Sequence, residues 1–261
     1  MAEQKFRFED GAAYERMMGK WSQLAGNIFL EWLAPSAGLR WIDVGCGNGA
    51  FTHMIGEQCA PAKVNGIDPS EGLLAFARTR LSERVVEYGQ GDAMALPFPD
   101  KTFDVATMAL VIFFVPEPAK GVAEMVRVVR SGGMVAAYAW DILRGGFPLE
   151  PIWDEMRALA VSPRQPPSAS ASRMEAMREL WTGVGLDAVE TKEITVQRTF
   201  ADFDDFWSIC LGSSVGPQVA AMPSRDVEVL KARVRARLPA DITGRITYGA
   251  RANAVKGRVP S

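Results

Sequence analysis

The chain has 261 residues, 48% of them hydrophobic, enough to bury one large core without a second domain. Its 29 Lys and Arg against 31 Asp and Glu leave a formal net charge of -2, which gives no long-range pull toward nucleic acid or an anionic membrane. Cys46, Cys59 and Cys210 are odd in number and lack metal-ligand spacing, which excludes a disulfide framework and fits a reducing cytoplasm, with no metal expected.

Met1 to Asp10 is charged and holds no signal-like apolar run, and no stretch reaches the roughly 20 apolar residues of a membrane span. The expectation is a soluble cytoplasmic protein. Between Ala12 and Leu33, Met17, Trp21, Leu24, Ile28 and Trp32 recur at steps of three and four until Pro35, which predicts an amphipathic helical arm.

From Leu39 short apolar strands alternate with helices. Leu39 to Val44 leads through a glycine loop to a helix carrying Phe51, Met54 and Ile55; strand Lys63 to Ile67 precedes helix Glu71 to Leu81. Strand Val85 to Gln90 runs into Asp92, and the apolar strand Phe103 to Leu110 reads as buried on both faces. The helix after Pro118 carries Val122, Met125, Val126 and Val129, ends at Ser131-Gly132-Gly133 and feeds strand Met134 to Trp140. This alternation predicts a parallel sheet.

Arg164 to Ser172 reads as a loop before helix Met174 to Thr182, and strands Ala188 to Thr195 and Ile246 to Ala254 can close the sheet. Between them lies a helical insertion, Ala201 to Leu238. Its last helix takes Ser224 as N-cap, buries Val227, Leu230, Val234 and Leu238, and turns Arg233, Arg235 and Arg237 outward as a solvated face. The expected organisation is one domain: a helical arm (1–38), an α/β core (39–200), a helical cap (201–240), and a last strand with its tail (241–261).

The most informative run is Trp41-Ile42-Asp43-Val44-Gly45-Cys46-Gly47-Asn48-Gly49, a strand ending in a glycine loop that opens a helix. Gly45, Gly47 and Ala50 also satisfy a relaxed dinucleotide fingerprint, so NAD is an alternative. Asp43 weighs against it, because a carboxylate there repels a pyrophosphate and attracts an ammonium or a sulfonium. Asp68 ends the second strand where an acid accepts from two ribose hydroxyls; its blander role is an exposed N-cap. Asp92 can accept from an adenine amino group while the Ala93 amide donates to the ring, although alone it reads as a turn residue.

Asp43-Val44-Gly45-Cys46-Gly47-Asn48-Gly49, Gly66-Ile67-Asp68-Pro69-Ser70, Gly91-Asp92-Ala93-Met94-Ala95-Leu96-Pro97-Phe98 and Phe103-Asp104-Val105 resemble, in order and spacing, the successive motifs of class I S-adenosylmethionine-dependent methyltransferases. Within that superfamily the chain is similar to the small-molecule branch that includes the ubiquinone and menaquinone C-methyltransferases. The specific resemblance covers roughly Leu39 to Trp140.

The resemblance implies a Rossmann-like, doubly wound, mostly parallel seven-stranded sheet whose reversed last strand is inserted between its neighbours, with the cofactor across the strand ends. It implies that Gly45, Cys46, Gly47, Asn48 and Gly49 surround the methionine part, that Asp43 orients the amino group, and that Asp68 and Pro69 hold the ribose. Asp92 and Ala93 would hold the adenine, and Met108, Ala109 and Leu110 would lie beneath the sulfonium. Transfer to a small acceptor, at carbon or oxygen, is the implied activity.

Methyl transfer from a sulfonium needs alignment and desolvation, and a base only where the nucleophile must lose a proton. Relatives often carry a histidine after the fourth strand. Leu110-Val111-Ile112-Phe113-Phe114-Val115-Pro116 has no titratable side chain, so Phe113 and Phe114 are either an apolar acceptor wall or core. The one histidine, His53, reads as structural; Tyr138 and Asp141 are better placed, and the catalytic residue stays unassigned. On the arm, Tyr14, Met18, Trp21 and Ser22 either close over the cofactor as a lid, with Tyr14 favoured, or simply pack. Phe203, Phe206, Trp207 and Ile209 of the insertion form a substrate cap or a homodimer surface. The rivals are a nicotinamide-dependent oxidoreductase and a non-catalytic S-adenosylmethionine-binding module.

Overall fold

The computed structural model describes residues 18–80, 85–213 and 215–261. Tyr14 and Met17 lie outside the described residues, as does Leu81. The arm is seen as helix α1 (Lys20–Leu33), which buries Trp21, Ala25, Phe29, Leu30 and Leu33 along one stripe and ends at Ala34 in the left-handed region just before Pro35.

The alternating core follows as β1 (Arg40–Val44), α2 (Ala50–Gln58), β2 (Lys63–Asp68), α3 (Glu71–Thr79), β3 (Val86–Gln90), β4 (Phe103–Ala109), α4 (Pro118–Val128) and β5 (Val129–Trp140). Then come α5 (Glu150–Ala158), α6 (Met174–Gly183), β6 (Asp187–Phe200), α7 (Phe203–Leu211), α8 (Val215–Ala220), α9 (Ser224–Arg237) and β7 (Ile246–Arg258). One seven-stranded sheet has the order β3-β2-β1-β4-β5-β7-β6, parallel from β3 to β5, with β7 antiparallel to both neighbours. This is the expected doubly wound sheet with its reversed strand.

Because β7 runs against both β5 and β6, β6 is parallel to β5. The end of β6 at Phe200 therefore lies on the same sheet edge as the ends of β1, β2, β4 and β5. Helices α7, α8 and α9 leave and re-enter the sheet at that edge, where open α/β sheets bind ligands.

Several element boundaries differ from expectation. The run Ser131-Gly132-Gly133 is not the end of a helix but part of β5, which starts at Val129 and shifts register against β4 between Phe103 and Val105. Gly132 supplies a positive φ of 73° for that irregularity, and a side chain on Gly133 would strike the Asp104 carbonyl. Strands β6 and β7 are longer than read because they pair with each other as a ribbon extending well past the predicted limits. Ser224 is the first helical residue of α9; Pro223 occupies the N-cap position and no side chain caps it. Val227 is only half-buried, while Leu230, Val234 and Leu238 are buried as expected. Helix α5 went unread, its apolar Ile152, Trp153 and Met156 being too few to mark a helical period.

Candidate functional site

Strand β1 delivers Asp43 into the sheet's middle, between Gly66 of β2 and Thr107 of β4. The residue is 0% exposed. Its Oδ2 accepts from the Thr52 hydroxyl of α2 at 2.7 Å, and its Oδ1 accepts no hydrogen bond. Burial, with the nearby Asp68 adding to it, pushes its carboxyl up to about 7 against the opposing pull of the Thr52 and Thr107 hydroxyls.

The loop after β1 is held by its own neighbours. Gly45 and Cys46 donate their amides to the Ile67 carbonyl at 2.7 and 3.0 Å, and Gly47 donates to Asp68 Oδ2 at 2.9 Å. Gly49 donates to the Cys46 carbonyl at 2.9 Å and Ala50 to Asn48 Oδ1 at 3.2 Å. These amides are thus committed within the protein, whereas a phosphate cradle needs them aimed at the ligand. A carboxylate, Asp68, already occupies the place beside Gly47.

The loop glycines have different reasons to be glycine. Gly47, at φ 53°, would point a Cβ into open space, so the missing side chain leaves room above the loop. Gly49, at φ 78°, opens α2 and lies against Tyr88 of β3; a Cβ there would sit 2.3 Å from the phenol oxygen. Gly66 faces the same ring, with a Cβ falling 2.7 Å from Tyr88 Cδ1. Tyr88 shares a lateral row with Gly66 and Asp43, so its ring crosses Gly66 beneath the loop and its hydroxyl donates to the Gly49 carbonyl at 3.4 Å. The sequence reading missed Tyr88 because no local pattern announces a partner 39 residues from Gly49.

Asp68 is not an exposed cap. Ser70 caps α3 by accepting from the Leu73 amide, while the buried Asp68 also accepts from the Ser70 amide through Oδ1 at 2.9 Å. Burial raises its carboxyl despite these two backbone donors. Pro69 beside it is exposed, and its carbonyl accepts from the Gln90 side chain. Asp92 is exposed and forms the turn role through an Oδ1 contact to the Met94 amide at 2.8 Å, with Ala93 half-buried next to it.

At the end of β4, Leu110 adopts a left-handed φ of 62° and donates its amide to the Tyr138 carbonyl at 2.7 Å. That conformation costs a non-glycine residue about 1–2 kcal/mol and is held here by packing. Next to it, Val111 fills the space that a side chain on Gly45 would need. Of the two phenylalanines, Phe113 is buried in the core and Phe114 is half-buried, edge-on to it at 4.7 Å. Ser168 braces this turn, donating its amide to the Phe113 carbonyl and its hydroxyl to the Val115 carbonyl.

Other candidates separate from this cluster. Trp21 is 1% exposed, 6.5 Å edge-on from Trp140 and 5.2 Å from Tyr248, so its side chain is packed against the sheet's rings. Tyr138 is fully buried against Phe29 and Phe51. His53 faces Glu57 one turn on, at 3.2 Å, on the surface. Asp141 is buried and paired with Arg251 at 3.1 Å. The α9 arginines are not simply solvated: Arg235 meets Asp204, and Arg237 meets Asp154 and Glu155. Cavities of about 430 and 450 Å³ lie along α9 and between α9 and α5, lined by no residue of the candidate site. Among the described residues no cluster is placed to hold a metal ion, and no helix is long and apolar enough to cross a membrane.

A family model described as a methyltransferase domain matches residues 42–137, the span from within β1 into β5. The chain is similar to a demethylmenaquinone methyltransferase of Desulfitobacterium hafniense, 38% identical over 108 residues that make up 38% of this chain and 42% of the relative. It is also similar to a fatty-acid O-methyltransferase of Mycolicibacterium smegmatis, 33% identical over 158 residues, 60% of this chain and 55% of the relative. The chain thus spans about half the length of these curated relatives. In fold it is similar to Haemonchus contortus phosphoethanolamine N-methyltransferase 2, solved with phosphomonomethylethanolamine and S-adenosylhomocysteine, at a TM-score of 0.63 and 17% identity over 99% of this chain and 60% of that one.

Proposed function

We propose that the chain, whose residues 42–137 match a methyltransferase-domain model, is a class I methyltransferase that binds S-adenosylmethionine at the ends of β1 to β4 and methylates a small acceptor. The observation that carries this reading is Asp43: a fully buried acid with one oxygen unpartnered, beside a glycine loop whose amides are already committed. Such a site suits a ligand that brings a cation and no phosphate.

The residues present fit the cofactor. The open space above Gly47 admits its methionine part, Asp43 Oδ1 can take the ammonium, and Asp68 has lone pairs left for ribose hydroxyls. Cys46, Asn48 and Gly49 would complete the loop around it, with Pro69 beside the ribose, Asp92 and Ala93 at the adenine edge, and Ala109 and Leu110 beneath the sulfur. Once bound, the cofactor supplies an electrophilic methyl on a sulfonium. The left-handed turn at Leu110 fixes the floor below it, and the stretch from Leu110 to Pro116 excludes water without offering a proton acceptor.

That floor favours an apolar acceptor with a carbon or oxygen nucleophile. Demethylmenaquinone and fatty-acid methyltransferases among the relatives support the same chemical class. Helices α7 to α9, rooted at this edge of the sheet, serve as the acceptor's cap in this reading.

Calorimetric titration with S-adenosylmethionine, S-adenosylhomocysteine and NAD tests the cofactor. Both adenosyl ligands should bind, with affinity falling at least about tenfold in Asp68→Ala, and NAD should not. Tight NAD binding without adenosyl binding would sink the proposal. Transfer of a labelled methyl to a naphthohydroquinone or to a medium-chain fatty acid then separates carbon from carboxylate acceptors.

A further inference from the structure

We propose that Asp43 carries a proton in the cofactor-free protein and releases it to solvent when the ammonium of the cofactor's methionine part docks, so that cofactor capture is a proton exchange at the end of β1. The inference rests on the cofactor reading above and concerns how that same site is controlled.

The geometry favours a neutral acid before binding. Asp43 is sealed from water, receives one hydrogen bond, from Thr52, and has no partner on Oδ1. A carboxylate buried with an unsatisfied oxygen and no counter-ion is strongly disfavoured, whereas the protonated acid carries no net charge to desolvate. Among the described residues Asp43 takes part in no ion pair.

Among the described residues, the elements packed around it offer no cation to compensate. From β2 comes Asp68, a second acid that repels its charge; from β4 comes the Thr107 hydroxyl. The Cys46 thiol of the loop and the Tyr88 phenol of β3 are both pushed upward, chiefly by burial, and remain neutral. Arg78 of α3 is turned to Glu71 and reaches only the Cys46 thiol, and Arg80 acts on Tyr88. With a carboxyl at about 7, Asp43 stands half protonated near neutrality. An arriving ammonium reverses the local field and favours the ionised form.

Linkage fixes the size of the effect. If Asp43 is fully ionised in the complex, binding releases about nine-tenths of a proton at pH 6 and about one-tenth at pH 8, and affinity rises about tenfold between them. S-Adenosylhomocysteine is the probe, titrated calorimetrically into the full chain in buffers of different ionisation enthalpy at both pH values. 5′-Methylthioadenosine, which keeps the ribose for Asp68 but lacks the ammonium, is run in competition and should bind equally at both. The side-chain carbon resonance of Asp43 should titrate near neutrality in the free protein and stay fixed in the complex.

Binding of S-adenosylhomocysteine with no proton release at pH 6 overturns the exchange and leaves the cofactor reading intact. A tenfold pH effect shared by 5′-methylthioadenosine also overturns it, because the ammonium is then not the cause. Failure of S-adenosylhomocysteine to bind at either pH instead removes the cofactor reading itself.

Discussion

The sheet's two halves treat polarity in opposite ways. At the ends of β1 and β2 stand acids held by backbone amides or a single hydroxyl, with one oxygen of Asp43 unpartnered. From β6 to β7 the same edge is closed by rings: Phe200 stacks on Tyr248 at 5.7 Å, Phe206 meets both, and Trp21 of α1 reaches Tyr248. The cations of α9 are there tied to the acids of α5 and α7. In the proposed reading the first half receives a polar ligand, and the second holds its own shape.

The largest effect that can break this contrast is expected from Phe206→Ala. Phe206 is fully buried among Phe200, Phe203 and Tyr248. Its truncation should cost about 3–5 kcal/mol, read as a lower urea midpoint with an unchanged slope. Affinity of the folded protein for S-adenosylhomocysteine should stay within about twofold. A parallel loss of affinity would mean that the aromatic half helps to shape the cofactor site.

A paired substitution inside the glycine loop sharpens the contrast next. Gly49→Ala forces a side chain into a left-handed residue and against the Tyr88 hydroxyl and Ala77. About 2–4 kcal/mol of stability should be lost, combining backbone strain with overpacking. Gly47→Ala meets no atom, so it should cost only about 1 kcal/mol through its φ of 53°. Its methyl group, however, enters the space kept for the ligand, and affinity should fall about tenfold or more. Equal loss of affinity in the two variants, once corrected for unfolded protein, would show that the loop acts only as a scaffold.

This pair also shows what the sequence could tell. Spacing placed Asp43, the glycines and Asp68 at successive strand ends because β1, its loop and β2 are contiguous, and local patterns decide such units. The same spacing gave Gly47 and Gly49 one shared role. Only the register that sets Tyr88 beside Gly66 separates them, and register between strands far apart in the chain has no local signature. Trp21 was ambiguous for a related reason: a helix stripe shows which face is apolar, not whether a sheet residue such as Trp140 waits beneath it. The two long closing strands were under-read because β6 alternates without any stop signal at Thr195, and their pairing alone fixes where they end.

The smallest effect is expected where the charges look most numerous. Arg237 bonds to Asp154 and Glu155 of α5, yet about half of its side chain is exposed (49%), and water competes for every contact. Pairs of this kind are worth about 0.2–1 kcal/mol. Arg237→Ala should therefore lower stability by no more than about 1 kcal/mol, and the difference from wild type should shrink as salt is raised from 50 to 500 mM. Cofactor affinity should be unchanged, since α9 contributes no group to the acids at the ends of β1 and β2. A loss above about 2 kcal/mol that salt does not reduce would mean that α9 is anchored electrostatically rather than by Leu230 and Val234, which are both fully buried beneath it.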